Sequence, residues 1–485
     1  MNQTTRISPP GLAALEARVA ADLEALMLPP RPWVPAMERA GQRVLDVAVV
    51  GAGMNGIAAT GSLLLKGIGQ VLMLDENAPG QEGPWVTWAR MDTLRSPKTL
   101  PGPCFGLPSL TFRAYYAALH GEAGWEALYK IPNAVWQDYL GWVTRTLALP
   151  VRHRARVARL EPAEGLLRLV LEDGAALLAR RVVWATGRAG AGGLAWPEGL
   201  VDRAALGPLV SHASAPVDFA ALRGKRLAVI GGGASSWDNA ATALERGAAS
   251  AEMFVRRATL PQVNKGRGSS GPAFHWGWGE LDDAQKWALI AYMHDHQAPP
   301  PHETVHRALR LPGFRIHLGS PTLATRREGE EVVLTLGGAD PREVRADHLI
   351  VGTGFRVDLD HAPELAAFAP HAAKWKHRHQ PAPGLERPEM AEFPYLGPAF
   401  ELVPRGPEAP PELGRIHLLN YGAHASHGGI ASDIPGVAVA AERLATALVG
   451  RFFREELPAM RAELEAFDEP ELETTPFFVP RPKKG

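Results

Sequence analysis

The 485-residue sequence predicts an α/β fold with two Rossmann-like units, because two glycine-rich loops each follow an apolar, strand-like run. The loops are Gly51-Ala-Gly-Met-Asn-Gly56 and Gly231-Gly-Gly-Ala-Ser-Ser236. In such loops the first glycine allows a sharp turn, the second lets the backbone approach a pyrophosphate, and the third lets helix pack on strand. One GxGxxG pattern is weak evidence, but two in the right setting are specific.

The first unit has the full order of strand, loop, helix and strand. Residues 45–50 form the predicted strand, residues 57–66 the helix, and a second apolar run ends at Asp75. An acid about 20 residues beyond the loop accepts hydrogen bonds from a ribose hydroxyl. The predicted cofactor contacts of this unit are Gly51, Gly53, Met54, Asn55, Gly56, Asp75 and Glu76.

The second unit differs where the ribose would lie. Its second strand, 251–255, ends in Arg256-Arg257 instead of an acid. Arginine favours a ribose that carries a 2′-phosphate, whereas a carboxylate would repel it. The sequence therefore predicts NADP(H) here, with a solvated surface loop as the alternative reading of the two arginines. The predicted contacts are Gly231, Gly233, Ser235, Ser236, Arg256 and Arg257.

Composition limits the functional classes. With 51 basic and 52 acidic residues the net charge is −1, which argues against a nucleic-acid partner. The single cysteine, Cys104, excludes an internal disulfide or a CxxC redox pair and fits a reducing compartment. Because the start of the chain shows no signal pattern, and glycines interrupt the apolar run 47–65, we expect a cytoplasmic protein without a membrane partner. No cluster of residues predicts a metal site.

The order of the segments predicts five parts. They are an N-terminal helical extension (1–43), a first part of the first nucleotide domain (44–204), a second nucleotide domain (205–345), the return to the first domain (346–455) and a C-terminal tail (456–485). In the extension, apolar residues at helical spacing predict one amphipathic helix that packs on the main body. These residues are Leu12, Leu15, Val19, Leu23 and Leu26.

The order of the motifs resembles the class B flavin-dependent monooxygenase superfamily, in which two dinucleotide-binding domains are nested as in glutathione reductase. The motifs that follow the first loop are Gly83-Pro-Trp85, Ala185-Thr-Gly187, the second loop, Gly352-Thr-Gly354 and Asp433-Ile-Pro-Gly436. The FxGxxxHxxx(W/Y) fingerprint survives only as Gly207 and His212. The segment Met91-Asp-Thr-Leu-Arg-Ser-Pro97 is instead similar to N-hydroxylases and to bacterial FAD-dependent urate hydroxylases.

The resemblance implies FAD on the first loop and NADPH on the second. It places Trp85 near the flavin, makes hinges of the motifs at Thr186 and Gly354, and directs the N-terminus of a helix that starts around Asp433 at the O2 edge of the flavin. The implied activity is an NADPH-consuming monooxygenation with O2 through a flavin C4a-hydroperoxide. The implied substrate is a small molecule, either a urate-like heterocycle or an amine. Candidate residues around the substrate are Arg95, Asn264 and His427.

Two other functions remain open from the sequence. One is a flavoprotein reductase that passes electrons to an external acceptor without a CxxC pair. The other is a flavoprotein that senses NADPH without turnover. The sequence is also compatible with a homo-oligomer and does not decide the oligomeric state.

Overall fold

The computed structural model describes residues 10–480, so the ends of the predicted extension and tail, 1–9 and 481–485, lie outside the described residues. Within 10–480 the chain forms sixteen strands. Their bounds are β1 Met37–Arg39, β2 Gln42–Val50, β3 Val71–Leu74, β4 Val151–Arg152, β5 Val157–Ala163, β6 Leu166–Leu171, β7 Ala176–Trp184, β8 Val210–His212, β9 Arg226–Ile230, β10 Ser250–Val255, β11 Phe314–Leu318, β12 Thr322–Glu328, β13 Glu331–Leu336, β14 Arg342–Ala346, β15 His348–Val351 and β16 Ile416–Leu418.

The same range contains fourteen α-helices, with short 3-10 turns between several of them. The helices are α1 Pro10–Ala25, α2 Met54–Leu64, α3 Phe112–Ala127, α4 Asn133–Thr146, α5 Arg203–Leu206, α6 Ala234–Glu245, α7 Lys265–Gly268, α8 Pro272–Gly277, α9 Asp283–His296, α10 His302–Leu309, α11 Pro388–Ala391, α12 His424–His427, α13 Val437–Glu455 and α14 Leu457–Ala466. None of the helices in 10–480 has the length and apolar character needed to span a bilayer.

A mixed sheet carries the first glycine-rich loop and a parallel sheet carries the second. The first has the main order β4-β3-β2-β7-β6-β5, with β1 beside β2 and β16 beside β7, and the second has the order β11-β10-β9-β15-β8. A third, antiparallel sheet has the order β12-β13-β14. Strand β16 pairs in parallel with β7 after the second sheet is complete, so the second unit is inserted into the first. The predicted α/β fold with nested Rossmann-like units is confirmed.

The structure differs from the predicted segments in detail. Strand β15 lies between β9 and β8, so the second sheet extends to Val351 and not only to residue 345. The N-terminal helix α1 buries Leu12, Leu15 and Val19 as expected, but Leu26 follows the end of the helix and is exposed. Helix α1 is fixed to the main body by the Trp142 indole, whose Nε1 donates to Glu16 Oε1 at 3.1 Å.

The two glycine-rich loops occupy equivalent positions in their sheets. The strands before the two loops, β2 and β9, pair with β7 and β15. The residue that follows each of these partner strands donates a backbone hydrogen bond to the last residue before the loop: Ala185 N to Val50 O at 2.8 Å and Gly352 N to Ile230 O at 2.7 Å. The first glycine of each loop faces the carbonyl of that residue. A Cβ on Gly51 would lie 2.6 Å from Ala185 O, and φ is +99°. Each loop is therefore packed directly against the end of the neighbouring strand.

The two units differ in which residue carries a side chain where the loop meets the end of the neighbouring strand. In the first unit the third loop position is Gly56 and the neighbouring strand end is Ala185. In the second unit the third position is Ser236 and the strand end is Gly352, and a Cβ on Gly352 would overlap the Ser236 hydroxyl. The Ser236 hydroxyl thus lies in the space that a side chain on residue 352 would occupy.

This size exchange predicts a compensating pair of substitutions. Gly352→Ala should lower the free energy of unfolding by about 1–3 kcal/mol, because the added methyl group overpacks against Ser236. The double variant Gly352→Ala/Ser236→Gly reproduces the arrangement of the first unit and should recover most of that loss. Urea unfolding followed by far-UV circular dichroism measures both, with Ser236→Gly alone as the control. Simple addition of the two single effects would contradict the interpretation.

Candidate active site

The glycines of the first loop fall into two kinds: at two of them the surrounding protein leaves no room for a side chain, and at the third the space is open. A Cβ on Gly56 would overlap the carbonyl oxygen of Gly51, so both positions are closed by the protein itself. A Cβ on Gly53 would come no closer to other protein atoms than 3.7 Å, to Gly83 Cα. The open space at Gly53 therefore fits a diphosphate at the N-terminus of α2.

The start of α2 is tied to the returning part of the chain. Asn55 Nδ2 donates to the carbonyl oxygens of Leu419 at 2.9 Å and Ala431 at 2.7 Å, while its Oδ1 is buried without a partner among the described residues. Asn55 thus clamps the loop to the segment that leads into α13. Met54 packs in a small apolar cluster with residues of α2 and α13, namely Ala58, Val437 and Ala441.

The helix predicted to start around Asp433 begins at Val437 instead. A 3-10 turn, Ile434–Gly436, which contains Pro435, separates the extended Asp433 from the start of α13. The Asp433 side chain makes no capping hydrogen bond and lies 3.2 Å from Arg188. The N-terminus of α13 still lies beside that of α2, so both helix ends point at the first loop.

Asp75 lies at the predicted position, at the end of β3, and braces the first loop. Its Oδ2 accepts a hydrogen bond from Ala52 N at 2.8 Å, and its Oδ1 accepts one from Asn77 N at 2.8 Å. The neighbouring Glu76 points outward, 3.7 Å from Arg156, with 58% of its side chain exposed. Of the two acids, only Asp75 is therefore positioned to meet a ribose next to the loop.

Trp85 offers an unused hydrogen-bond donor near the first loop. Its Nε1 is buried and has no partner among residues 10–480. The ring lies edge-on to Trp136, with centroids 6.2 Å apart, and borders Gly83, the residue nearest to Gly53. A bound cofactor that extends from the loop past Gly83 would satisfy this orphaned indole N–H.

The predicted hinges at Thr186 and Gly354 lie at the start of two crossover segments that run side by side. Leu194 and Phe355 form an antiparallel bridge, and Ala195 N donates to Gly354 O at 3.0 Å. Thr186 Oγ1 accepts a hydrogen bond from Asn420 Nδ2 at 3.3 Å. The two connections between the units are therefore coupled to each other by backbone hydrogen bonds.

The second loop has the same open position as the first. A Cβ on Gly233 would meet nothing within 4 Å, whereas one on Gly231 would overlap Gly352 O. Ser235 lies partly buried in the first turn of α6. Arg256 and Arg257 follow the end of β10, and neither side chain is paired with a carboxylate among the described residues. Two unpaired guanidinium groups thus stand where the 2′-phosphate of NADPH is predicted.

Two partly exposed arginines, Arg95 and Arg188, lie near each other beside α6, and the space around them is called the cleft below. Arg95 keeps 49% of its side chain exposed, and partial burial lowers the pKa of its guanidinium group. Arg188 lies over the ring of Tyr421, 5.2 Å from its centroid. Its positive charge further lowers the pKa of Arg95, so the two guanidinium groups share the same space. The sequence analysis missed Arg188, although it directly follows the Ala185-Thr-Gly187 motif.

Comparison with known proteins then identifies the family. Residues 48–189 match the model of an FAD-NAD(P)-binding family. The chain is 42% identical over 463 residues to the FAD-dependent urate hydroxylase of Xanthomonas campestris pv. campestris, which covers 95% of this chain and 97% of that protein. The chain belongs to the family of this urate hydroxylase. It is a flavoprotein oxidoreductase of the monooxygenase superfamily, and the predicted cofactors, FAD and NADPH, are confirmed.

Solved structures show the same fold at lower identity. The ornithine N-hydroxylase of Kutzneria sp. 744 is 16% identical with a TM-score of 0.65, and the match covers 84% of this chain and 99% of that one. The ornithine hydroxylase of Pseudomonas aeruginosa is 18% identical with a TM-score of 0.65, covering 84% and 98%. These likenesses support the nested architecture of the urate hydroxylase family member described above.

Two of the three predicted substrate residues have structural tasks in this flavoprotein. Asn264 is exposed and caps α7, with Oδ1 accepting from Arg267 N at 3.0 Å. His427 is buried, with Nε2 3.0 Å from the carbonyl oxygen of Gly397 and Nδ1 3.4 Å from a guanidinium nitrogen of Arg443. Burial lowers the pKa of His427 to about 3, so the ring is neutral. Because its nitrogens face protein groups, the structure favours a packing role for His427. Only Arg95 faces the cleft.

The open glycine positions allow the two cofactor sites to be tested separately. Gly53→Ala should fold but be purified with little FAD, because only the diphosphate would collide with the new methyl group. Gly233→Ala should keep FAD and weaken NADPH binding by about tenfold or more. Flavin absorbance per protein and a coenzyme titration measure the two effects. Gly56→Ala is the control, since it overlaps Gly51 O and should destabilise the fold itself. A fully flavin-loaded Gly53→Ala protein would contradict the assignment of the first loop.

Proposed function

We propose that the protein is an NADPH-dependent FAD monooxygenase that hydroxylates a small, planar, urate-like substrate with O2. The observation that carries this proposal is the proximity of two arginines: Arg188 follows the strand end beside the first loop, and Arg95 contacts the helix that follows the second loop. The family relative at 42% identity is named for urate hydroxylation, which supports the same substrate class. For this proposal we keep the predicted domain limits 44–204, 205–345 and 346–455 and assign β15 to the second unit.

The protein's part in the reaction is to bind, orient and shield. Residues around Gly53 and Gly233 would hold the two diphosphates, Asp75 a ribose, and Arg256 a 2′-phosphate. When bound, FAD supplies the redox chemistry, accepting a hydride from NADPH and activating O2, with the C4a-hydroperoxide implied by the resemblance. The chain then needs only to position the substrate and exclude water, and among residues 10–480 no cluster of three or more metal-ligating side chains occurs.

The donors in the cleft favour a urate-like substrate over an amine. Arg95 makes no hydrogen bond to the described residues, and its only carboxylate contact is 3.7 Å, to Asp238. Arg188 uses one Nη group on Asp433 at 3.2 Å. Both guanidinium groups therefore keep N–H donors free for the planar acceptor oxygens of a heterocycle or its anion. A simple amine offers a cation and no acceptor oxygen, so these guanidinium groups would not bind it.

The proposed activity is tested by NADPH oxidation in the presence and absence of candidate substrates. Urate should accelerate NADPH consumption and give one hydroxylated product per NADPH, with little free peroxide. Ornithine, a sulfide and a ketone serve as comparisons at the same concentration. Rapid anaerobic reduction of an artificial acceptor without oxygenated product would instead support the reductase function. Failure of NADPH to bleach the bound flavin under anaerobic conditions would support the sensor function.

The coenzyme preference is tested at the two arginines after β10. Arg256→Ala should raise KM for NADPH about 10- to 100-fold, since it removes a charge-assisted contact to the 2′-phosphate worth about 1.5–3 kcal/mol. KM for NADH should change little, because NADH lacks that phosphate. Arg257→Ala, measured in parallel, shows which arginine carries the contact. Equal effects on both coenzymes for both variants would contradict the 2′-phosphate role.

A further inference from the structure

A buried carboxylate connects the second phosphate loop with the arginine of the cleft. Asp238 lies on α6, the helix that starts at Gly233, and only 4% of its side chain is exposed. Thr304 donates a hydrogen bond to Asp238 Oδ1 at 3.0 Å. Its Oδ2 lies 3.7 Å from Arg95, and its Oδ1 lies 4.0 Å from Arg307. Asp238 thus meets one group from the first unit and two from α10.

The segment that carries Arg95 is docked on the second unit by the same elements. Arg307 donates to the carbonyl oxygen of Arg90 at 2.7 Å and lies 3.6 Å from Asp92. Arg90 lies over the ring of Phe219, 5.3 Å from its centroid. The segment 90–95 belongs to the first unit in sequence, yet its position depends on side chains of the second unit.

Of the charged groups around Asp238, Arg95 interacts most strongly with its carboxylate. Burial raises the pKa of Asp238, and Arg95 is the strongest of the charges that oppose this rise. A buried carboxylate without compensating partners is strongly unfavourable, so its partners are the reason it is tolerated. Arg307 has a second, closer carboxylate, Glu245 at 2.6 Å. For Arg95, in contrast, Asp238 is the only carboxylate within 4 Å among the described residues.

We propose that Asp238 is a positioning residue: it orients Arg95 toward the substrate and so links the site of NADPH binding to the site of substrate binding. This inference rests on the proposed function, because it takes Arg95 as a substrate-binding group. Asp238 itself does not reach the cleft. Movement of α6 when a coenzyme occupies its N-terminus would be transmitted to Arg95 through this carboxylate, about one and a half helical turns from Gly233.

The test is a double-mutant cycle of Asp238→Asn and Arg95→Gln. Asparagine keeps the acceptor for Thr304 but removes the charge that holds Arg95. Asp238→Asn should raise KM for urate about tenfold, with a smaller change in kcat and with FAD content unchanged. In the Arg95→Gln background, Asp238→Asn should change KM for urate very little further, because the guanidinium group through which Asp238 acts is already absent. Glu412→Gln changes another buried carboxylate, which accepts a hydrogen bond from Gly165 N and contacts none of residues 90–95; it is the matched control and should leave KM for urate unchanged.

Three outcomes separate this inference from the proposed function. Full additivity of the two substitutions, or an equal effect of Glu412→Gln, would overturn the positioning role. If the wild-type enzyme does not turn over urate, hydrogen exchange of residues 90–95 still decides: Asp238→Asn should speed exchange there but not at residues 51–56. Unchanged exchange at 90–95 would overturn the inference, whereas accelerated exchange without urate turnover would count against the proposed substrate alone. If Asp238→Asn does not fold, Thr304→Val provides the milder perturbation of the same carboxylate, and an unchanged KM for urate would then overturn the role.

Discussion

The close packing of each phosphate loop against the end of the neighbouring strand is the constraint on which the rest of this structure depends. A loop can bind a diphosphate only if its backbone N–H groups converge, and this requires the helix to start directly above the strand. Gly51 and Gly231 make that contact with the residues that follow β7 and β15. Those same residues open the crossover segments, so the geometry of cofactor binding and the path between the units are set together.

The size exchange between the two loops shows how little freedom this contact leaves. Where the third loop residue has a side chain, as in Ser236, the facing Gly352 has none, and where the facing residue is Ala185, the loop has Gly56. The crossover segments then pair with each other through Arg356 N and Gly193 O at 3.0 Å. The orientation of the two cofactor sites is consequently constrained by the backbone.

Local patterns in the sequence were sufficient for the loops and their strands, because each strand, loop and helix lie within about thirty residues. The nested order, in contrast, came from the resemblance to a known superfamily. The residues of the cleft were harder, since Arg188 and Asp238 acquire their meaning from partners far away in the sequence. His424 and His427 lie on one short helix, and no local pattern shows which imidazole faces inward. The role of His427 at the substrate therefore stays a prediction, and the partners that hold its ring, Gly397 and Arg443, come from separate segments. Pattern also could not separate Trp276, which is exposed, from Trp278, which is buried.

Contacts on two sides of the cleft limit how the units can move. On one side, segment 90–95 is docked on α6 and α10. On the other, Trp278 Nε1 donates to Ser426 O at 3.1 Å, and Trp287 Nε1 donates to Leu385 O at 2.8 Å, so α9 and its preceding turn are anchored in the returning part of the first unit. A wide hinge opening would break both sets at once, together with the aromatic packing of Trp287 on Trp375. Small shear movements of α6 and α10 leave these contacts intact. Asp238 lies on α6 and contacts Arg95, so a movement of α6 would reach Arg95 directly, whereas Arg188 is held by Asp433 within the first unit itself.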